Sequence, residues 1–179
     1  MNPDEGLFIL TYPHPFLRRK AAEIAEVTDD VRELARLMVR SLTTFGGAGL
    51  AAPQVGYACR LVVMNLTGEK DSNVALVNPK IVEYSEDTVE LPEACLSLPK
   101  IRGRVVRPRA IKVKATTLDG AAFGEEDAVE LQGWSARVLQ HEIDHLDGVL
   151  FIDHLTGVKH KMIEKKLQRL HRLARKRTK

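Results

Sequence analysis

Residues 138–151 read VLQHEIDHLDGVLF, and how the two histidines in that stretch are used decides the fold around them. A helix turns about 100° per residue, so His141 and His145 share one face, with Glu142 beside them. His-Glu-x-x-His in this setting is a signature of metal hydrolases. A catalytic metal site usually takes three protein ligands and leaves a further position to water, so one ligand is missing. In the long zinc-protease pattern it would be a histidine six residues after the second one, where this chain has Phe151. Asp153 and Glu164 lie downstream but sit in no local ligand motif.

The surroundings are those of an ordinary globular chain. With 179 residues, 44% apolar and 28% charged, one domain spanning 1–179 is expected. No apolar run approaches the roughly 20 residues that cross a bilayer, so no membrane partner is expected. The start, MNPDEGLFILTYPHP, has neither the basic-then-apolar layout of a secretory signal nor the acid-poor character of a transit peptide, which points to a cytoplasmic location. The net charge of +3 is uneven: Lys159 to Lys179 holds ten Lys and Arg against one acid, net +9, while the rest holds 17 against 23, net −6. The basic character therefore belongs to the tail.

Helical spacing of Val31, Leu34, Met38 and Leu42 after an N-cap at Thr28 predicts a helix of about four turns. It leads into the glycine-rich FGGAGLAAPQVG, read as a loop that lacks the Gly-Lys-Ser/Thr ending of a phosphate loop. RLVVMNL, VALVNPKIVEY and IKVKATTLDG read as strands, with Asp119-Gly120 as a hairpin turn. Gly133 breaks the chain before a buried helix that ends at Gly148, and the RGRVVRPR segment reads as a solvated loop. Ile163, Leu167, Leu170 and Ala174 mark one face of a basic amphipathic helix over about 157–177. A strand-rich middle with flanking helices makes the fold class α+β.

Only two cysteines occur, too few for a disulfide framework. Cys59, in an apolar stretch, reads as a small buried hydrophobe. Cys95, in ELPEACLSLP, is the candidate for the missing ligand, because a thiolate is a good donor to zinc or ferrous iron.

Three segments now stand together: Gly47-Ala-Gly-Leu-Ala-Ala-Pro-Gln54, Glu93-Ala-Cys-Leu-Ser97 and Gln140-His-Glu-Ile-Asp-His145. In this order the chain resembles the peptide deformylases, whose motifs are Gly-x-Gly-Leu-Ala-Ala-x-Gln, Glu-Gly-Cys-Leu-Ser and Gln-His-Glu-x-Asp-His. The resemblance runs from YPHPFLRRKA to DGVLFIDHL. It departs at Ala94, where the family has glycine. A positive φ there would make the methyl group costly, whereas an extended backbone would accept it.

The resemblance implies mixed or antiparallel sheets packed around a central metal-binding helix, with a C-terminal helix beyond. It implies Cys95, His141 and His145 as metal ligands and Glu142 as the base that takes a proton from water and returns it to the amine. Gln54 and the Leu96 N–H would stabilise the oxyanion, and Gly49 would let the chain turn and present its backbone to substrate. Ala48, Trp134 and Val138 are candidate walls of a methionine pocket, although ordinary core packing is the competing reading of these residues. Arg102 is a candidate for a substrate carbonyl, among several arginines nearby. The ion implied is ferrous iron, while a set of one cysteine and two histidines would also hold zinc, nickel or cobalt.

The implied activity is hydrolysis of the formyl group from N-formylmethionyl nascent peptides. The basic helix is either a solvated face packed through its apolar stripe or a contact to the ribosome, where Lys and Arg neutralise phosphate. It lacks the bulky aromatics of a membrane-surface helix. Two rival functions stay open from sequence: a related hydrolase shifted to another acyl group by Ala94, and a ribosome-associated metal-binding module without catalysis.

Overall fold

The computed structural model describes residues 7–69, 72–124 and 128–177. Residues 1–6 at the acidic start and 178–179 at the basic end lie outside the described residues, and so does part of any domain spanning 1–179. In chain order the elements are α1 (Asp29–Phe45), β1 (Gly49–Ala51), β2 (Leu61–Asn65), β3 (Asn73–Tyr84), β4 (Thr88–Ala94), β5 (Arg102–Pro108), β6 (Ala110–Thr116), β7 (Val129–Gln132), α2 (Gly133–Leu146) and α3 (Gly157–Arg177). The sheets have the order β1-β2-β3-β6-β7 and β4-β5, and every strand pair in them is antiparallel. The α+β class, the antiparallel sheets around the His-Glu-x-x-His helix and the C-terminal helix are as expected from sequence.

The five-stranded sheet is covered on both faces, which explains why β2 is a continuous apolar run rather than an alternating one. Val62 and Met64 pack with Ala136, Leu139, Ile143 and Leu146 of α2, while Leu61 and Val63 pack with Leu34, Ala35, Met38 and Leu42 of α1. Each of the larger side chains so buried contributes about 1.5–3 kcal/mol, and Ala35 and Ala136 contribute less. α2 is therefore held between the large sheet and the β4–β5 hairpin, and most of its residues from Ala136 to Leu146 are buried. A third cluster joins Val105 of β5 and Phe151 to Ile163 and Leu167 of α3, so the basic helix is anchored by its apolar stripe.

Three local expectations are corrected. The glycine-rich stretch is not simply a loop: Gly49–Ala51 is β1, paired with β2, and a short 3-10 turn at Ala52–Val55 follows. RGRVVRPR is strand β5, with Val105 and Arg107 turned into the protein. Cys59, expected to be a buried hydrophobe, is only half-buried and forms an isolated bridge to Ala22 ahead of β2. Gly133 does break the chain as expected, with a φ of +57° where β7 passes into α2. The end of α2 is as read. Asp147 caps the helix and Gly148 turns away at φ +74°, where an added Cβ would fall 2.6 Å from the Arg18 carbonyl oxygen.

Candidate active site

α2 carries His141 and His145 one turn apart, their ring centroids 5.1 Å from each other. Cys95 follows directly on the end of β4, and the hairpin's packing brings its Sγ to 3.1 Å from His145 Nε2. The ligand atoms of Cys95, His141 and His145 all lie within 4.8 Å of one another. Phe151, where the longer protease pattern would place a histidine, stacks on the His141 ring at 6.0 Å and 26°. It backs the ligand rather than replacing it.

The orientation of His141 is fixed by a carboxylate. Its Nδ1–H donates to Glu93 Oε2 at 2.8 Å, which leaves Nε2 with its lone pair for a metal, the usual carboxylate–histidine arrangement behind a metal site. Glu93 is buried and also accepts from Arg107 Nε (2.6 Å) and Nη2 (3.0 Å) and from Arg137 Nη1 (2.9 Å). Burial alone would raise its carboxyl, but hydrogen bonds from His141 and Arg107, with the Arg107 charge, outweigh that and hold it well below the usual carboxylate range. Glu93 therefore stays ionised.

Gln54 is held at both ends of its amide. Its Oε1 accepts the Ala51 N–H at 2.8 Å, so the amide nitrogen faces the other way, donating to Ser97 Oγ at 3.2 Å and towards Cys95 Sγ at 3.4 Å. Glu142 is almost wholly buried, and its Oε2 has no hydrogen-bond partner among the described residues. Burial pushes its carboxyl up to about 7, against the pull of His141. A bound cation would act in the same downward direction as His141.

Gly49 is needed for close approach. In extended β1 it lies so near Glu142 that an added Cβ would meet Oε1 at 2.6 Å and Cγ at 2.7 Å. The expected role in turning the chain is replaced by this contact. Ala94 has an extended backbone as the last residue of β4, paired with Arg102; the positive-φ non-glycine residues among those described are Asn78 and Lys100. Alanine is thus unstrained at this position, and its methyl group faces an open cleft.

That cleft has a volume of about 410 Å3. It is lined by Ala48, Gly49 and Gln54 on one side and by Ala94, Cys95, Leu96 and Arg102 on another, with Trp134, Val138, His141 and Glu142 along α2. Every site residue implied by the resemblance is therefore gathered here except His145, which is buried against Cys95. Val138 is buried, but Trp134 is 54% exposed and stands at the mouth. Arg107 and Arg137 were missed. The signals available were the alternation of Val105 with Arg107 and the spacing of Arg137 one turn before His141.

The residues fit a divalent ion. One soft thiolate and two imidazoles converge, one imidazole is already braced by a carboxylate, and a partnerless buried carboxylate oxygen waits alongside. Two imidazoles on one helix, joined by a thiol from the end of the neighbouring strand and a buried glutamate at the cleft, define a metal-dependent hydrolase of the His-Glu-x-x-His class. The family model described as polypeptide deformylase matches residues 7–161, and the chain belongs to that family. It is 40% identical to a peptide deformylase of Acinetobacter baumannii over 164 residues, 92% of this chain and 91% of that one. Among solved structures, a plant peptide deformylase superposes with a TM-score of 0.90 at 38% identity, covering 96% of this chain and 92% of the other. A peptide deformylase of Plasmodium falciparum gives 0.85 at 36% identity, covering 92% and 95%.

Proposed function

We propose that this chain hydrolyses the formamide at the N-terminal formylmethionine of newly made peptides, releasing formate and a free amine. The observation that carries the reading is the buried Glu142 carboxylate, whose Oε2 has no hydrogen-bond partner among the described residues, in a cleft beside the converged Cys95, His141 and His145 donors. Cys95, His141 and His145 would hold a divalent ion, which would supply Lewis acidity and lower the pKa of water in the cleft.

Glu142 takes the proton from the attacking water and delivers it to the amine as the C–N bond breaks, so one carboxylate serves both halves of the reaction. Burial raises the proton affinity of this carboxylate above that of an exposed one, which suits the exchange. Gln54 Nε2, aimed by the Ala51 N–H at the other end of the amide, and the Leu96 N–H donate to the oxyanion that forms on the formyl oxygen. Gly49 gives Glu142 its room. β1 is an edge strand of the five-stranded sheet, so its free edge suits an extended peptide laid along the cleft. Val138, Ala48 and Trp134 form the apolar surroundings for the methionine side chain, and Arg102 at the rim binds a substrate carbonyl.

By the resemblance, the native ion we assign is ferrous iron, with zinc, nickel and cobalt compatible with the same donors. We also assign the enzyme to the cytoplasm, with the ribosome as a partner of α3. That helix packs inward through Ile163 and Leu167 and exposes Lys161, Lys165, Lys166, Arg169 and Arg172. Among the described residues no helix is long and apolar enough to cross a membrane. Replacing Lys165, Lys166 and Arg169 by Gln should weaken co-sedimentation with ribosomes at low salt and leave the core intact; unchanged, salt-insensitive binding would remove the ribosome assignment.

The activity is tested by formate release from a formyl-Met tripeptide compared with its acetyl-Met equivalent, using protein loaded with iron, nickel or cobalt. Turnover of the formyl peptide only is expected. No formate with any of the three ions would end the proposal, and preferred cleavage of the acetyl peptide would assign a different acyl group.

A further inference from the structure

We propose that Arg137 is a positioning residue that sets the distance between the thiolate-bearing strand and the two-histidine helix, on the reading that Cys95, His141 and His145 hold the metal together. Arg137 lies on α2 one turn before His141, so Arg137, His141 and His145 run along one face of the helix. Its guanidinium, 8% exposed, leaves that helix and binds three groups on the β4–β5 hairpin. Nη1 donates to Glu93 Oε1 and to the Val105 carbonyl, both at 2.9 Å, and Nη2 donates to the Val89 carbonyl at 2.6 Å. One planar fork therefore grips both strands at once, a geometry that a lysine ammonium cannot reproduce.

The hairpin needs such a grip because a two-stranded sheet has little stability of its own. Cys95 follows β4 without an intervening turn, so any slide of that strand along α2 carries the sulfur away from His145 Nε2. On the other flank, Arg107 of β5 binds Asp144 of α2 at 2.8 Å. The two arginines thus clamp the hairpin to the helix on either side of His141. Among the described residues Arg137 reaches the His141 ligand through Glu93, whose bonds to Arg107 and His141 do not themselves involve Arg137.

The test uses cobalt-loaded wild type, Arg137→Lys and Arg137→Met, followed by thiolate-to-cobalt charge-transfer absorption and by the rate of cobalt release to a chelator. Far-ultraviolet circular dichroism records the fold. The lysine variant keeps the buried charge but loses the carbonyl grip on two strands. It is expected to retain the wild-type dichroism, show a shifted and weakened charge-transfer band, and release cobalt about tenfold faster, the scale of a lost outer contact to a metal site. Arg137→Met should change both readouts in the same direction and further. A wild-type band and wild-type release rate in Arg137→Lys would overturn the role of Arg137 while leaving the ligand set standing. Absence of the band in wild type would overturn the ligand set and the role of Arg137 with it.

Discussion

Gly49→Ala perturbs the placement of the general base while leaving the three metal-ligand side chains unchanged. The backbone of Gly49 is ordinary extended strand, so alanine costs nothing there in φ and ψ. Its methyl group, however, would sit 2.6 Å from Glu142 Oε1, about 0.8 Å inside the 3.4 Å at which ordinary contact begins. Backbone β1 is paired along its length with β2 and cannot retreat easily, whereas the Glu142 side chain can rotate. The overlap is therefore relieved by moving the carboxylate by most of an ångström. A displacement of about 1 Å in a positioned group can cost on the order of 100-fold in rate, equivalent to about 2.7 kcal/mol of barrier. The assay is kcat for formate release from a formyl-Met tripeptide, with metal content and thermal unfolding measured on the same samples. The expected result is a kcat lowered by about 100-fold, with bound metal unchanged and the unfolding temperature close to wild type. A variant that keeps more than half of the wild-type kcat would refute the link between this glycine and Glu142.

Three further outcomes follow from other parts of the structure. Ala94→Gly should change kcat by less than about twofold, because alanine is unstrained in β4, and should lower stability in urea by about 0.5–1 kcal/mol through the added freedom of a strand glycine. A large gain in rate would restore Ala94 as a handicap. Asp153 accepts from Arg18 and from the Leu150 N–H; burial raises its carboxyl, but these bonds outweigh it and hold it below its ordinary 3.8. Its contribution to stability is thus complete above that value and lost as pH falls through the depressed one, so Asp153→Asn should flatten the loss of stability below pH 4, seen in urea unfolding across pH. Iron-loaded enzyme should lose activity in peroxide while nickel-loaded enzyme resists, since a ferrous thiolate site open to a cleft is oxidisable; equal decay of both would count against iron as the sensitive centre.

The sequence made α2 legible because the spacing of His141, Glu142 and His145 has only one consequence on a helix. Cys95 was legible as a candidate ligand because few cysteines competed with it. The β4–β5 hairpin was harder to read. Its strands mix Pro92, Gly103 and several arginines, and a buried arginine looks like a solvated one until its partner is known. For Arg107 that partner is Glu93 on the neighbouring strand, and for Arg137 it is a set of groups spread over both strands. Gly49 was misread for a related reason. A glycine signals either a turn or a close approach, and only the fold shows that Glu142 arrives against it. Phe151 was legible as a missing histidine, but its stacking behind His141 depends on the turn after α2.

The most direct measurement compares metal-loaded wild type with Glu142→Gln, a nearly isosteric change that removes the proton acceptor from the cleft and leaves the three ligands in place. Formate release from the formyl-Met tripeptide should fall by about 10²- to 10⁴-fold while bound metal is retained, the range set by loss of general acid–base catalysis. A Glu142→Gln enzyme with full metal and a rate within tenfold of wild type would contradict the assignment of this buried carboxylate as the group that moves the proton.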